Sequence, residues 1–310
     1  GYRVVTATAV LTVGETTPLA MQVESAPQLL LVDEGTAYYA SEVELWREAL
    51  DTLRYDYDFY KIKAGHALIS QTLLPYDVVL WSSPYGSPGL VSSSSALEGY
   101  LNQGGKLLLS GQDVAYYDGG GTAVGPGVRP YLYDLLGVVY QSERTQSEVT
   151  GDGPFAGLRA SIQGPDGADN QLAPDTIRTP GSPAPSRIWQ YGDGALGGAA
   201  TSVCVPFRSL FFGFGYEAIA EEADRLAVMN RSLDWLMAPP LTAGLSLEPL
   251  GPRVQIGHPG ERVTHTFQIR HLGIAGPTDT LILAVGGSAW STHLSPTQAR
   301  LSSCKTLTAT

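Results

Sequence analysis

The sequence is poor in lysine and cysteine, and no run of apolar residues in it is long enough to cross a bilayer. Lysine occurs only at Lys61, Lys63, Lys106 and Lys305, so arginine carries most of the positive charge. The net charge is −11 with no basic stripe to offset it, which excludes nucleic acid and anionic membrane surfaces as partners. Cys204 and Cys304 form neither a CxxC pair nor a zinc spacing. Two thiols make no disulfide framework, so they leave the redox compartment open. No cationic start marks a signal peptide, because Gly1-Tyr-Arg-Val-Val-Thr-Ala-Thr8 is a strand-like alternation. The chain opens as if inside one domain and stops as if inside a strand, at Lys305–Thr310. It reads as a piece of a longer protein.

What is present is 43% hydrophobic residues with 36 glycines and 21 prolines, a globular composition rich in loops. A chain of 310 residues can bury one large core and a smaller companion. Residues 1–25 alternate apolar and threonine positions, as a β segment ending an upstream domain would. Residues 26–238 then alternate strands and helices. Gln28–Asp33, Tyr57–Ile62, Asp77–Ser82 and Leu107–Leu109 read as strands, the apolar runs among them as strands buried on both faces. Ser41 with Glu44 predicts a capping box opening a helix through Val43, Trp46, Leu50 and Leu53. Ser94–Gln103 predicts a helix stopped by Gly104 in a left-handed cap. This alternation favours an α/β fold with a mostly parallel sheet and helices on both faces. Beyond Asp113 a short helix at Tyr131–Leu136 and a strand at Val138–Gln141 precede a loop-dominated stretch, Gly151–Pro185. Arg187–Tyr191, Thr201–Val205 and Ser209–Phe214 read as strands, the first two joined by a glycine-rich turn. A helix from Ile219 to Met237 closes the domain, and Pro239-Pro240 is a linker. Residues 239–310 switch to a period of two, as in Val263/His265/Phe267/Ile269 and Leu281/Leu283/Val285. They predict a small immunoglobulin-like β-sandwich, truncated at its end.

Leu29-Leu-Leu-Val-Asp-Glu34, Tyr76-Asp-Val-Val-Leu-Trp81, Leu97–Asp113 and Phe211-Phe-Gly-Phe-Gly-Tyr-Glu-Ala-Ile219 resemble the strand ends of the class I glutamine amidotransferase-like, flavodoxin-like fold. The resemblance covers roughly residues 27–238, and it is to the non-enzymatic version found downstream of the catalytic domain in secreted bacterial subtilisin-like and immune-inhibitor-A-type proteases. Pro259–Gly273 with Trp290 is similar to the bacterial immunoglobulin-like modules of the same proteins. The resemblance implies an extracellular or cell-surface accessory region whose partners are the parent protease domain and a cell-surface protein or glycan.

An amidotransferase-type site needs a cysteine on a tight strand-to-helix turn and a histidine to take its proton. Here the turn holds Ser110-Gly-Gln-Asp113. The family's His-Pro-Glu strand end is matched by Gly215-Tyr216-Glu217, which keeps only the acid. His66 falls on a loop after the second strand, so a Ser110–His66–acid triad requires a fold-back, and a serine hydrolase is the weakest of three readings. No catalytic residue is assigned. In an open α/β sheet, ligands bind outside the carboxyl ends of the strands. Asp33, Glu34, Ser110, Gln112, Asp113 and Glu217 therefore form the candidate ligand cleft, set against the plainer reading that they satisfy backbone groups at strand ends. Asp166, Asp169, Asn170 and Asp175 offer oxygens for calcium but match no EF-hand spacing. No other cofactor is indicated. His265 and His271 lie six residues apart on one strand, about 20 Å, and cannot share a zinc ion. Tyr38, Tyr39, Tyr116, Tyr117, Tyr131 and Tyr133 offer a sugar-stacking surface or, more plainly, rings covering loops. A carbohydrate- or calcium-binding extracellular module is thus the second reading.

Overall fold

The fold is that of a computed structural model, which describes residues 28–35, 41–63, 66–84, 91–121, 127–180, 185–239, 244–252, 254–258, 260–273, 278–288 and 291–310. The strands expected in residues 1–25, and Tyr38, Tyr39, Pro240 and Trp290, lie outside the described residues. The chain divides into two units. The first takes in the described residues of Gly1–Thr201 and Pro206–Ala238, and the second those of Ser202–Val205 and Pro239–Thr310.

In the first unit the strands are β1 (Leu29–Asp33), β2 (Tyr57–Lys61), β3 (Val78–Ser82), β4 (Lys106–Ser110), β5 (Val139–Glu143), β6 (Glu148–Gly151), β7 (Arg159–Ser161), β8 (Asp175–Arg178), β9 (Ser186–Tyr191), β10 (Leu196–Thr201) and β11 (Arg208–Phe212). Its helices are α1 (Glu44–Thr52), α2 (Ser70–Leu73), α3 (Ser94–Asn102), α4 (Val114–Asp118) and α5 (Glu222–Met237). Nine of the strands form one sheet in the order β2-β1-β3-β4-β11-β10-β9-β6-β7. The pairs from β2 to β11 are parallel and those from β11 to β7 are antiparallel. The sheet is therefore mixed rather than mostly parallel. A parallel neighbour needs a crossover of a dozen residues or more, usually helical, whereas an antiparallel one needs only a hairpin. The Gly/Pro-rich stretch after Asp113 holds few helices, and its strands return antiparallel.

The continuous apolar runs explain the centre. Every residue of β1, β3 and β11 is buried, as are Leu107–Ser110 of β4. On one side Trp46 and Leu50 of α1 and Met229, Leu233 and Leu236 of α5 join a core that includes Phe155, Trp189, Phe212 and Phe214. Burying an aromatic or aliphatic side chain of this kind contributes about 1.5–3 kcal/mol. The end of α3 is built as the sequence predicts. Gly104 has φ +90°, its N–H donates to the Leu101 carbonyl, and the Gly105 N–H donates to that of Tyr100. This pair of bonds is a Schellman motif.

Several local expectations are corrected. Ser41 and Glu44 make no capping box: Ser41 Oγ accepts from the Val43 N–H, and Glu44 pairs with Arg47 at 3.0 Å. The stretch Gly151–Pro185 holds β7 and β8 rather than loop alone. Thr201–Val205 is not a strand, because β10 occupies Leu196–Thr201 and includes the glycines expected to form the turn. A Cβ on Gly198 would stand 2.8 Å from the Trp189 ring, so the strand packs there only because a side chain is missing. β5 and β8 form a separate antiparallel ribbon.

In the second unit β12 (Leu245–Pro249), β13 (Phe267–His271) and β16 (Thr306–Ala309) form one antiparallel sheet, and β14 (Asp279–Ile282) and β15 (Gln298–Leu301) another. Ile269, Leu281, Leu301 and Ala309 make its small core. Cys204, in the connection between β10 and β11, is disulfide-bonded to Cys304, with Cα atoms 5.4 Å apart. His271 is buried. Its Nε2 lies 2.9 Å from Asp279 Oδ2, and its Nδ1 accepts from the Gly273 N–H.

Candidate functional site

Parallel register sets the strand ends side by side. Asp33 of β1 pairs with Ser82 of β3, Ser82 with Ser110 of β4, and Ser110 with Phe212 of β11. This is the carboxyl edge of the parallel half of the sheet, where an α/β protein places its site.

Ser110 is fully buried and its hydroxyl is fully used. Oγ donates to the Phe214 carbonyl at 2.7 Å and accepts from the Tyr216 N–H at 2.7 Å. The bend after β11 is thereby tied to the end of β4. Gly111 permits this tight edge, because a Cβ there would run into the Ser83 carbonyl. Gln112 spends both ends of its amide. Nε2 donates to the carbonyls of Pro84 (3.1 Å) and Asn170 (2.7 Å), and Oε1 accepts from the N–H groups of Leu172 (2.7 Å) and Ala173 (3.0 Å).

Glu217 belongs to the same network. Its two oxygens each accept at 3.2 Å, from Asn170 Nδ2 and from Trp46 Nε1. Complete burial pushes its carboxyl above the ordinary carboxylate range. Gln171 completes the knot, with Oε1 accepting from the Gly215 N–H and Nε2 donating to Asn170 Oδ1. Ser110 and Gln112 are thus spent on backbone groups, and Glu217 on Asn170 and Trp46. Their partners Asn170, Gln171 and Trp46 lie far away in the sequence and carry no signal of the pairing.

Asp33 and Glu34 form a second group. Asp33 Oδ1 accepts from the Gly35 N–H at 2.9 Å, while Oδ2 and the neighbouring Ser82 Oγ are buried without a partner among the described residues. Glu34 accepts from Trp81 Nε1 and from the Ser92 N–H, both at 2.7 Å, and burial raises its carboxyl. Asp118, which the sequence does not single out, holds the segment next to Ser92. It accepts from the Val91 N–H (3.0 Å) and the Tyr131 hydroxyl (2.6 Å), and pairs with Arg129 at 3.0 Å. Its carboxyl is pushed up to about 6 by burial, which outweighs those partners.

Asp113 stands apart from both groups. It is the residue in the left-handed conformation, φ 64° and ψ −2°, at the turn from β4 into α4. Within the turn Ser110-Gly-Gln-Asp113 the left-handed residue is therefore Asp113. Asp113 is half-buried, and its carboxyl is pushed up to about 6 by burial and then by Glu143. Asp175 is fully buried, and its Oδ2 accepts from the N–H groups of Ala115 (2.8 Å) and Tyr116 (3.2 Å) at the start of α4.

His66 is exposed in the loop after β2, whereas Ser110 is fully buried and its hydroxyl is bonded to the backbone of Phe214 and Tyr216, so the two do not form a nucleophile–base pair. The four calcium candidates do not converge. Asp169 Oδ1 accepts from the Gly164 N–H, Asn170 serves Glu217, and Asp175 serves α4. Asp166 offers its carbonyl to Arg225. Among the described residues no three His, Cys, Asp or Glu side chains are placed to hold a metal ion. Tyr131 is buried against Asp118 and offers no stacking face, whereas Tyr133 is exposed. Tyr116 packs edge-on against Tyr117 and Tyr140.

No protein-family description matches the chain, and no curated protein matches it. Among solved structures it is similar to a protein from Bacteroides uniformis ATCC 8492 described as ThuA-like. The TM-score is 0.44 at 14% identity, over 72% of this chain and 97% of that one.

Proposed function

We propose that this chain is a non-catalytic accessory region, for spacing or docking, of a secreted bacterial protease. In this reading an amidotransferase-like α/β domain is followed by an immunoglobulin-like module. The observation that carries it is the Ser110 hydroxyl. Its donor and acceptor roles are both taken by buried backbone, so neither a base nor a substrate has access to it. The acid at Glu217 is likewise spent on Trp46 and Asn170. The Cys204–Cys304 disulfide supports an oxidising, extracellular setting. In the parent polypeptide a peptidase catalytic domain shares the reading frame. Deleting this region leaves hydrolysis of a short chromogenic peptide unchanged and lowers hydrolysis of the native macromolecular substrate. A reading frame without a peptidase domain, or turnover of ester or amide substrates by this chain alone, overturns the proposal.

A further inference from the structure

We propose that the edge strand β2 pairs antiparallel with β2 of a second copy of this chain, about a two-fold axis at Phe59, joining the two nine-stranded sheets. Two strands end this sheet, β2 and β7. β7 is three residues long, and shortness is a usual way of making an edge unfit for pairing. β2 runs five residues, Tyr57–Lys61, and none of them is buried, whereas every residue of β1 and β3 is. Phe59 and Tyr60, at its middle, are 41% and 39% exposed.

The backbone fixes which residues can pair. In a parallel ladder alternate residues turn both N–H and C=O to the same neighbour. The Ile62 N–H donates to the Asp33 carbonyl at 2.8 Å, so Asp58 and Tyr60 also turn towards β1. Tyr57, Phe59 and Lys61 therefore turn their N–H and C=O away from the sheet. An antiparallel partner centred on Phe59 sets Tyr57 opposite Lys61 of the second copy, Phe59 opposite Phe59, and Lys61 opposite Tyr57. Each of these pairs exchanges both hydrogen bonds, and none of the outward groups of the strand is left over.

The charges select this register. Asp56 and Asp58 open the edge, and Lys61 and Lys63, two of the four lysines in the chain, close it. Charged side chains on an edge ordinarily keep other strands away. About the Phe59 axis no like charges meet, because Lys61 faces Tyr57, Asp58 faces Tyr60 and Asp56 faces Ile62. Moving the axis to Tyr57 sets Asp56 against Asp58, and moving it to Asp58 or Lys61 sets that residue against itself. Centred on Tyr60, it leaves Tyr57 opposite Lys63, outside the strand. On the α1 face, the lysine arriving at Tyr57 meets an aromatic ring and a carboxylate. Burial raises the Tyr57 phenol, and Asp51 of α1 adds to this against the bond from Arg47, which places that acid beside the ring. Arg47 lies over the Phe59 ring, 5.4 Å from its centre, and its charge is met by Glu44 at 3.0 Å.

The test is sedimentation velocity of the whole chain from about 1 to about 100 μM, the range of a modest interface. A dimer that grows with concentration is expected. Phe59→Pro removes an N–H that only the second copy uses, at an edge position where proline is tolerated, and should leave only monomer. Lys61→Glu should weaken association about tenfold, because the two-fold repeats each contact. Phe59→Cys reads the register. Position 59 meets its own copy, so diamide should link two chains through Phe59→Cys and not through Tyr60→Cys. Cys204 and Cys304 are bonded to each other, so no native thiol competes. Unchanged thermal midpoints in dilute samples show that the variants are folded. A monomer throughout, association unchanged in both Phe59→Pro and Lys61→Glu, or no link through Phe59→Cys would each overturn the proposal.

Discussion

Replacing Ser110 with alanine separates a structural hydroxyl from a reactive one. The substitution removes a single oxygen from a site with no solvent access, and two backbone groups lose their partner at once. The Phe214 carbonyl loses its donor at 2.7 Å, and the Tyr216 N–H loses its acceptor at the same distance. Leaving a buried polar group unmatched costs about 1–3 kcal/mol. The methyl group that remains recovers little, so the pair should cost about 2–4 kcal/mol. For a folding unit of this size each kcal/mol moves the thermal midpoint by about 2–4 °C, so the drop should lie between about 5 and 15 °C.

Urea denaturation followed by tryptophan fluorescence reads the same quantity at 25 °C, since Trp46 and Trp189 are buried in the core that unfolds. Ser110→Cys should fall between wild type and alanine, because a thiol is only a weak donor and acceptor. A loss below about 0.5 kcal/mol, the range of ordinary surface substitutions, would refute the assignment of that hydroxyl to the backbone.

The remaining predictions address neighbouring features. Gly111→Ala should cost about 3 kcal/mol, because its Cβ meets the Ser83 carbonyl and stands 3.2 Å from Val114 Cγ2; a neutral result in denaturation would contradict the close approach of β3 and β4. Asp113→Asn should stabilise the protein above pH 6 and leave it unchanged near pH 4. The folded carboxyl titrates at about 6, so its protonated form adds stability that is complete at low pH and is lost as pH rises from about 4 through 6. A shift of that size corresponds to about 3 kcal/mol, which solvent screening at this half-open site reduces to about 1 kcal/mol, and asparagine tolerates the left-handed backbone. Parallel melts at pH 4 and pH 7.5 check both the size and the sign. Reducing Cys204–Cys304, which are 100 residues apart, should lower stability by about 2–5 kcal/mol, and an unchanged urea midpoint in reductant would contradict the bond.

How much of this was legible depended on how local each cause is. Val78–Ser82 and Leu107–Leu109 read directly as strands because burial on both faces leaves a continuous apolar run. The stop at Gly104 read directly because only a left-handed residue closes that helix with both carbonyls satisfied. Helix α4 did not: it has five residues, too few for a periodic pattern, and its first amides are held by Asp175, about 60 positions away. Of the six candidate ligand residues, Asp33 and Ser110 end β1 and β4, and Glu34, Gln112 and Asp113 follow those ends. Glu217 sits in a short helical turn beyond β11, and the six separate into three groups. Sequence gives the order of residues along a strand and not which loop folds over its end. Asn170, read as a loop residue, is what holds Gln112 and Glu217 inward, through its carbonyl and its side-chain amide. The disulfide was equally invisible, since its partners meet only after the β10–β11 connection joins the second unit.

The most direct test of a sheet edge given over to holding the fold together is chemical. Incubate the folded protein with a fluorophosphonate probe at pH 8 and locate any adduct by peptide mass spectrometry, with Ser110→Ala as control. No adduct at Ser110 is expected in the native protein. An adduct there that disappears in the alanine variant would show a hydroxyl free to react, and would contradict the account.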